Sequence, residues 1–118
     1  DTVGLVLGDI ANPYAAELAR AVRDVTTQRG YNLFICISEH SAKEDVAAFE
    51  ALADHQVDGI IAATRSNRAG DEHLIEMIER GVSVVCIGRD FHNENADNVT
   101  ADALNGGFQA TQHLIDLG

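Results

Sequence analysis

Apolar and polar positions follow two rhythms along this chain, and the switches between them mark successive strand-then-helix units. Val3, Leu5 and Leu7 form a short apolar run that ends at Gly8-Asp9-Ile10-Ala11, and Asn12-Pro13-Tyr14 then opens a helix. Proline at the first helical position gives up an N–H that would have no intrahelical partner, and asparagine before it can cap the free amides. Over residues 13–29, Tyr14, Leu18, Ala21, Val22 and Val25 recur on one face and Glu17, Arg20, Asp24 and Gln28 on the other, the 3.6-residue pattern of a surface helix. Gly30 stops it.

A second strand is expected over residues 31–37. Ser41 and Glu44 have the spacing of a capping box and start a helix with Val46, Phe49, Leu52 and Ala53 inward, ending near His55 or Gln56. Residues 60–63 read as a third strand and 64–70 as a polar loop. Residues 71–80 read as a short helix with Leu74, Ile75 and Ile78 inward, stopped by Gly81. Residues 82–87 read as a fourth strand. A polar loop over 88–97 precedes a weak strand around Val99, and 102–117 carries a last helical pattern. Strands alternating with helices at this spacing predict an α/β fold, a parallel sheet covered on both faces. The unbroken apolar runs at 33–37 and 82–87 suit strands buried on both sides.

In parallel sheets of this kind, ligands sit at the carboxyl ends of the strands. The first strand end and the first helix N-terminus bring Asp9, Asn12 and Tyr14 to one such spot. Asp9 reads as a polar strand-end residue or a ligand contact, and Asn12 as a cap or a contact. Tyr14 could pack in the core; because Ala15 is small, it is also the one aromatic there that could stack on a ligand. Thr64 opens the loop after the third strand and joins the candidate set. Arg89, after the fourth strand, is the lone cation in an acidic stretch with Asp90, Glu94 and Asp97. It reads as a rim salt bridge, or as a planar guanidinium that forks two hydroxyls or a carboxylate. Asp102 and Asn105 flank the start of the last helix and could cap it or reach the ligand. His40, just after the second strand, is a loop histidine that could also face the site. The first and fourth strand ends and the turn before the last helix are expected to converge on one wall of a pocket. Gly106-Gly107, each about 1 kcal/mol unfavourable in a helix against Ala, suggest close backbone packing.

Composition narrows the partners. The 118 residues make at most one domain, with 46% apolar residues for a core. No run approaches the roughly 20 apolar residues that span a bilayer, and no secretory leader is recognisable. With 19 acidic against 8 basic residues, the net charge of −11 repels phosphate backbones, so these residues are not expected to bind nucleic acid. The abrupt start in a strand and the stop at a helix end suggest a piece of a larger protein.

Several chemistries lack their signatures. The first turn has only the first glycine of a dinucleotide fingerprint, and no phosphate-binding Gly-Lys-Ser/Thr loop is present. A phospho-acceptor domain would need an acid after the third strand, where Ala62-Ala63-Thr64 stand. The five histidines (40, 55, 73, 92, 113) show no metal-ligand spacing. No catalytic triad is suggested by local spacing, so neither enzyme activity nor a cofactor is expected.

Taken in order, Val3-Gly4-Leu5 running into Asp9-Ile10-Ala11-Asn12-Pro13-Tyr14, Arg29-Gly30-Tyr31-Asn32-Leu33, Val57-Asp58-Gly59-Ile60-Ile61, Val84-Val85 with Gly88-Arg89, and His113-Leu114-Ile115-Asp116-Leu117-Gly118 resemble the lac-repressor/galactose-repressor (LacI/GalR) family of bacterial transcription regulators. The resemblance runs the full length. It implies a type I periplasmic-binding-protein fold with strand order 2-1-3-4-5, residues 1–118 being the N-terminal subdomain of an effector-binding core. Family ligand positions fall on Asn12, Tyr14, Ala15, Arg89 and the turn from Asp102 to Asn105. Sugar-binding relatives often have a second aromatic at Ala15, an Asp at Gly88 and an Asn at Ala103, so this chain departs from the usual pentose or hexose set. The resemblance also implies a cytoplasmic homodimer that senses a small metabolite, a sugar or nucleoside. Operator DNA would be bound by a helix-turn-helix outside these residues. A periplasmic solute-binding protein of a transport system is the alternative with the same fold, and an enzyme of flavodoxin-like topology rests on analogy alone. In the implied strand order two strands separate Cys36 from Cys86, beyond disulfide reach at about 4.8 Å per strand, which favours free thiols and a reducing compartment.

Overall fold

The computed structural model describes residues 1–89 and 91–118; Asp90 lies outside them, as does the side chain of Ala103. Five parallel strands, β1 (Thr2–Leu7), β2 (Asn32–Ile37), β3 (Gly59–Ala63), β4 (Ser83–Ile87) and β5 (Asp97–Val99), lie in the order β2-β1-β3-β4-β5. The helices are α1 (Pro13–Gln28), α2 (Ala42–Asp54), α3 (Arg68–Glu79) and α4 (Ala103–Leu117). This is the expected α/β architecture and strand order.

Alternation along the strands divides the core in two. Val6, Ile60, Ala62, Val84 and Cys86 face α2 and α3, packing on Phe49, Leu52, Leu74 and Met77. Leu5 and Leu7 face α1 and pack on Ala15 and Ala19, with Leu18 and Val22 alongside. Gly4 lets α2 approach β1, since a Cβ there would sit 2.6 Å from Leu52 Cδ1. Gly30 and Gly81 take φ of 75° and 92° directly after the caps of α1 and α3, where a Cβ would be strained.

Four expectations are corrected. First, α1 is rotated: Ala15, Ala19 and Thr26 are its buried residues, while Tyr14 and Val25 are exposed. Two alanines let the helix lie close on the sheet, which displaces the bulkier residues to its flank. Second, β2 is not buried on both faces, because it is an edge strand and leaves Phe34 and Ile35 exposed; the outer face of β4 is likewise half-covered. Third, α3 starts at Arg68, capped by the Asn67 side chain, which accepts from the Gly70 N–H at 2.7 Å; Met77 turns inward and Ile75 outward. Fourth, Gly106 and Gly107 have open space where a Cβ would go, so close packing does not explain them. Helix α4 leaves Leu104, Phe108, Leu114, Ile115 and Leu117 exposed.

Candidate functional site

A cavity of about 190 Å³ opens at the carboxyl ends of β1, β3 and β4, between the strand ends and the start of α1. From β1 and its turn come Leu7, Gly8 and Asp9; from α1 come Asn12, Tyr14, Ala15 and Leu18. His40 closes one side, and Ala63, Thr64, Arg65, Ile87 and Gly88 form the floor and far side. Complete small-molecule pockets run to roughly 300–1,000 Å³, so this cavity has the size of part of one.

Local chemistry shapes the entry turn. Asp9 Oδ1 accepts from the Ala11 N–H at 2.9 Å, and Asn12 Oδ1 accepts from the Tyr14 N–H at 3.0 Å as the cap of α1. Each side chain keeps its other polar atom free of these bonds. Tyr14 is 64% exposed and stands at the rim with its ring available, whereas Ala15 is buried beneath it. Thr64 is buried, and its hydroxyl donates to Asp45 Oδ2 at 3.3 Å.

Arg89 does not face this cavity. Its side chain turns to the α2–α3 side of the sheet and is 2% exposed. There Nε and Nη2 donate to Asp71 Oδ1 at 3.2 and 2.8 Å, and Nη1 donates to the carbonyls of Thr64 and Arg65 at 3.1 and 2.9 Å. Asp45 Oδ2 lies 3.8 Å away and also accepts from Asn67 Nδ2 at 2.7 Å. The guanidinium therefore ties the loop after β3 to the starts of α2 and α3, a buried network rather than a rim salt bridge. Asp45 Oδ1, within this network, and Ser38 Oγ, directly after β2, are buried without a partner among the described residues.

The last two candidates also lie apart from the cavity. Asp102 caps α4, its Oδ1 accepting from the Asn105 N–H at 3.0 Å, and both residues sit on the exposed turn into that helix. The structure thus brings together Asp9, Asn12, Tyr14, Ala15 and Thr64, and leaves Arg89, Asp102 and Asn105 outside. The expected convergence of Tyr14, Arg89 and Asn105 is not realised, because Arg89 is drawn to two carboxylates across the sheet.

Two further residues line the cavity: His40, read from sequence as a loop histidine that could also face the site, and Arg65, which the sequence reading did not single out. His40 sits at φ 58° after Glu39 at φ 55°, a left-handed pair that swings its ring over β1. Gly8 leaves room for it: a Cβ there would lie 2.0 Å from His40 Cε1 and 2.4 Å from Nδ1. A glycine at a strand end opposite a loop histidine was the available signal, and Arg65 had none. Among the described residues no three metal-ligating side chains come together, and no helix is long and apolar enough to cross a membrane.

Residues 1–118 match the family model described as periplasmic binding proteins and sugar binding domain of LacI family. Catabolite control protein A of Priestia megaterium is 33% identical over 117 residues, an alignment covering 99% of this chain and 35% of that protein. The HTH-type transcriptional regulator DegA of Bacillus subtilis is 31% identical over 117 residues, covering 98% and 35%. The crystal structure of transcription regulator CcpA of Lactococcus lactis superposes with a TM-score of 0.84 at 25% identity, over 99% of this chain and 42% of that one. The chain spans about a third of the length of the curated relatives it matches.

Proposed function

Because the chain belongs to the family of periplasmic binding proteins and LacI sugar-binding domains, we propose that residues 1–118 are the N-terminal subdomain of the effector-sensing core of a bacterial transcription regulator. The observation that carries this reading is the cavity at the strand ends, lined by Asp9, Asn12, Tyr14, Ala15 and Thr64. A small metabolite would lie against this wall, with Tyr14 stacking on its apolar face and Asp9 and Asn12 meeting its hydroxyls. A second subdomain would supply the opposite wall and close over the ligand.

Arg89 would act from below, holding the backbone of Thr64 and Arg65 in place. Asp102 and Asn105 would come to the ligand only as α4 leads into that second subdomain. Relatives named as transcriptional regulators favour this reading over a solute carrier of the same fold.

Operator DNA would be bound by a helix-turn-helix beyond these residues, since a segment of charge −11 repels phosphates. The working protein would be a cytoplasmic homodimer. Effector and operator would bias the same two-state equilibrium, so each alters the other's affinity by the same factor. Fluorescence-anisotropy titration of the full-length protein against its upstream DNA tests this. Tight binding that a metabolite weakens or strengthens is expected; no DNA binding under any ligand condition overturns the regulator reading.

A further inference from the structure

The cavity is richer in uncommitted donors than in acceptors. Thr64 spends its hydroxyl on Asp45, Asp9 Oδ1 is taken by the Ala11 N–H and Asn12 Oδ1 by the Tyr14 N–H. Arg23, Arg68 and Arg89 each pair with a carboxylate, but the Arg65 guanidinium has no hydrogen bond or ion pair among the described residues. It is exposed and lines the cavity. The imidazole of His40 lines the same small space, its nitrogen-bearing edge laid over Gly8, and it too has no partner among the described residues. Five guanidinium N–H groups and a ring N–H are therefore uncommitted within the described residues and can exchange water for whatever enters. Asp9 Oδ2 is the one carboxylate oxygen in the lining not already bonded, and it suits a hydroxyl donor.

Resting on the effector reading above, we infer that this cavity takes a hydroxylated metabolite carrying an anionic group, with Arg65 and His40 as the specificity-determining residues that hold the anion. Arg65 offers a planar fork matched to phosphate or carboxylate oxygens. His40 adds a donor from the opposite strand end, in a position that exists only because residue 8 has no side chain. Asp9 and Asn12 are left for hydroxyls, and the Tyr14 ring for the ligand's apolar face. A neutral sugar's hydroxyls would accept from the guanidinium but leave its charge uncompensated.

The test is calorimetric titration of the full-length protein with glucose 6-phosphate, fructose 1-phosphate and glucuronate, each set against glucose and fructose. At least one anionic probe should bind about tenfold or more tighter than the neutral sugars, and its affinity should fall with added salt. The phosphate and glucuronate arms distinguish the two anion chemistries. Arg65→Gln and His40→Asn should each weaken the anionic probe about tenfold and leave neutral-sugar binding and the melting temperature unchanged. Gly8→Ala should reproduce the His40 effect, since its new Cβ displaces the ring without altering its chemistry. Binding of neutral sugars as tightly as anionic ones, or binding of no probe, overturns the inference. If the Arg65 and His40 variants are silent while Tyr14→Ala abolishes binding, the anion assignment falls and the effector site stands. If none of these variants changes the binding of any probe, the cavity is not the site and both readings fall.

Discussion

Replacing Arg89 with methionine removes the one cation in a buried network and leaves two carboxylates facing each other across the loop after β3. Arg89 is 2% exposed and Asp45 1%, so water is poorly placed to compensate. The lost interactions are the paired contacts to Asp71, at 2.8 and 3.2 Å, and the two donations to the Thr64 and Arg65 carbonyls. Breaking a buried pair from one side typically costs about 3–5 kcal/mol, because the remaining charge is stranded. Domains of this size are stable by about 5–15 kcal/mol, so Arg89→Met should remove about a fifth of that or more. Urea unfolding followed by far-ultraviolet circular dichroism measures it as a shift in midpoint at constant slope. Adding Asp45→Leu to Arg89→Met should recover part of the loss, since it removes the deeper stranded charge. A loss below about 1 kcal/mol for Arg89→Met would place the pair among exposed salt bridges and refute the reasoning.

Other consequences follow from the packing. Gly4→Ala puts a Cβ 2.6 Å from Leu52 Cδ1 in the interface of β1 with α2; overpacking of this kind costs about 1–3 kcal/mol, and an unchanged melting temperature would show that Leu52 can yield. Burial pushes both thiols, Cys36 and Cys86, above their ordinary value. A thiol reagent at neutral pH should therefore leave fully buried Cys86 unmodified until unfolding and half-buried Cys36 slow to react, and two free thiols should be counted in denaturant. Rapid native labelling of Cys86 would contradict its burial. The backbone N–H of Thr2, donating to Asp58 at 2.8 Å, holds that carboxyl below the ordinary aspartate value of 3.8. Its stabilising effect is present in full above 3.8 and is lost as pH falls through the depressed value. Asp58→Asn should accordingly unfold less steeply in acid than the parent, and identical acid profiles would remove Asp58 from the account.

What could be read along the chain was what neighbouring residues decide. The β1–α1 junction was legible because Asn12 and Pro13 act on the backbone beside them, and the Ser41–Glu44 box set α2 for the same reason. Strand order and the division of the core followed from the resemblance and the alternation of apolar residues. The misreadings concern relations across the sheet. Nothing within residues 33–37 says that β2 is an edge, and nothing near Arg89 says that Asp45 and Asp71 are waiting on the far side of the sheet. Asp45 did leave a trace: it stands on the same helical stripe as Phe49 and Leu52, where a carboxylate requires a buried partner. The turn of α1 that exposes Tyr14 was hidden by treating large apolar side chains as inward, when Ala15 and Ala19 are what let the helix settle on the sheet.

The most direct test of the central claim, that the strand-end cavity receives the effector, is operator-affinity titration of the full-length protein with and without its metabolite, in parent and Tyr14→Ala forms. Tyr14 is 64% exposed, so its removal should spare folding and leave operator affinity without effector unchanged. Loss of the metabolite's effect on that affinity is the predicted result; an undiminished effect in the Tyr14→Ala form would contradict the account.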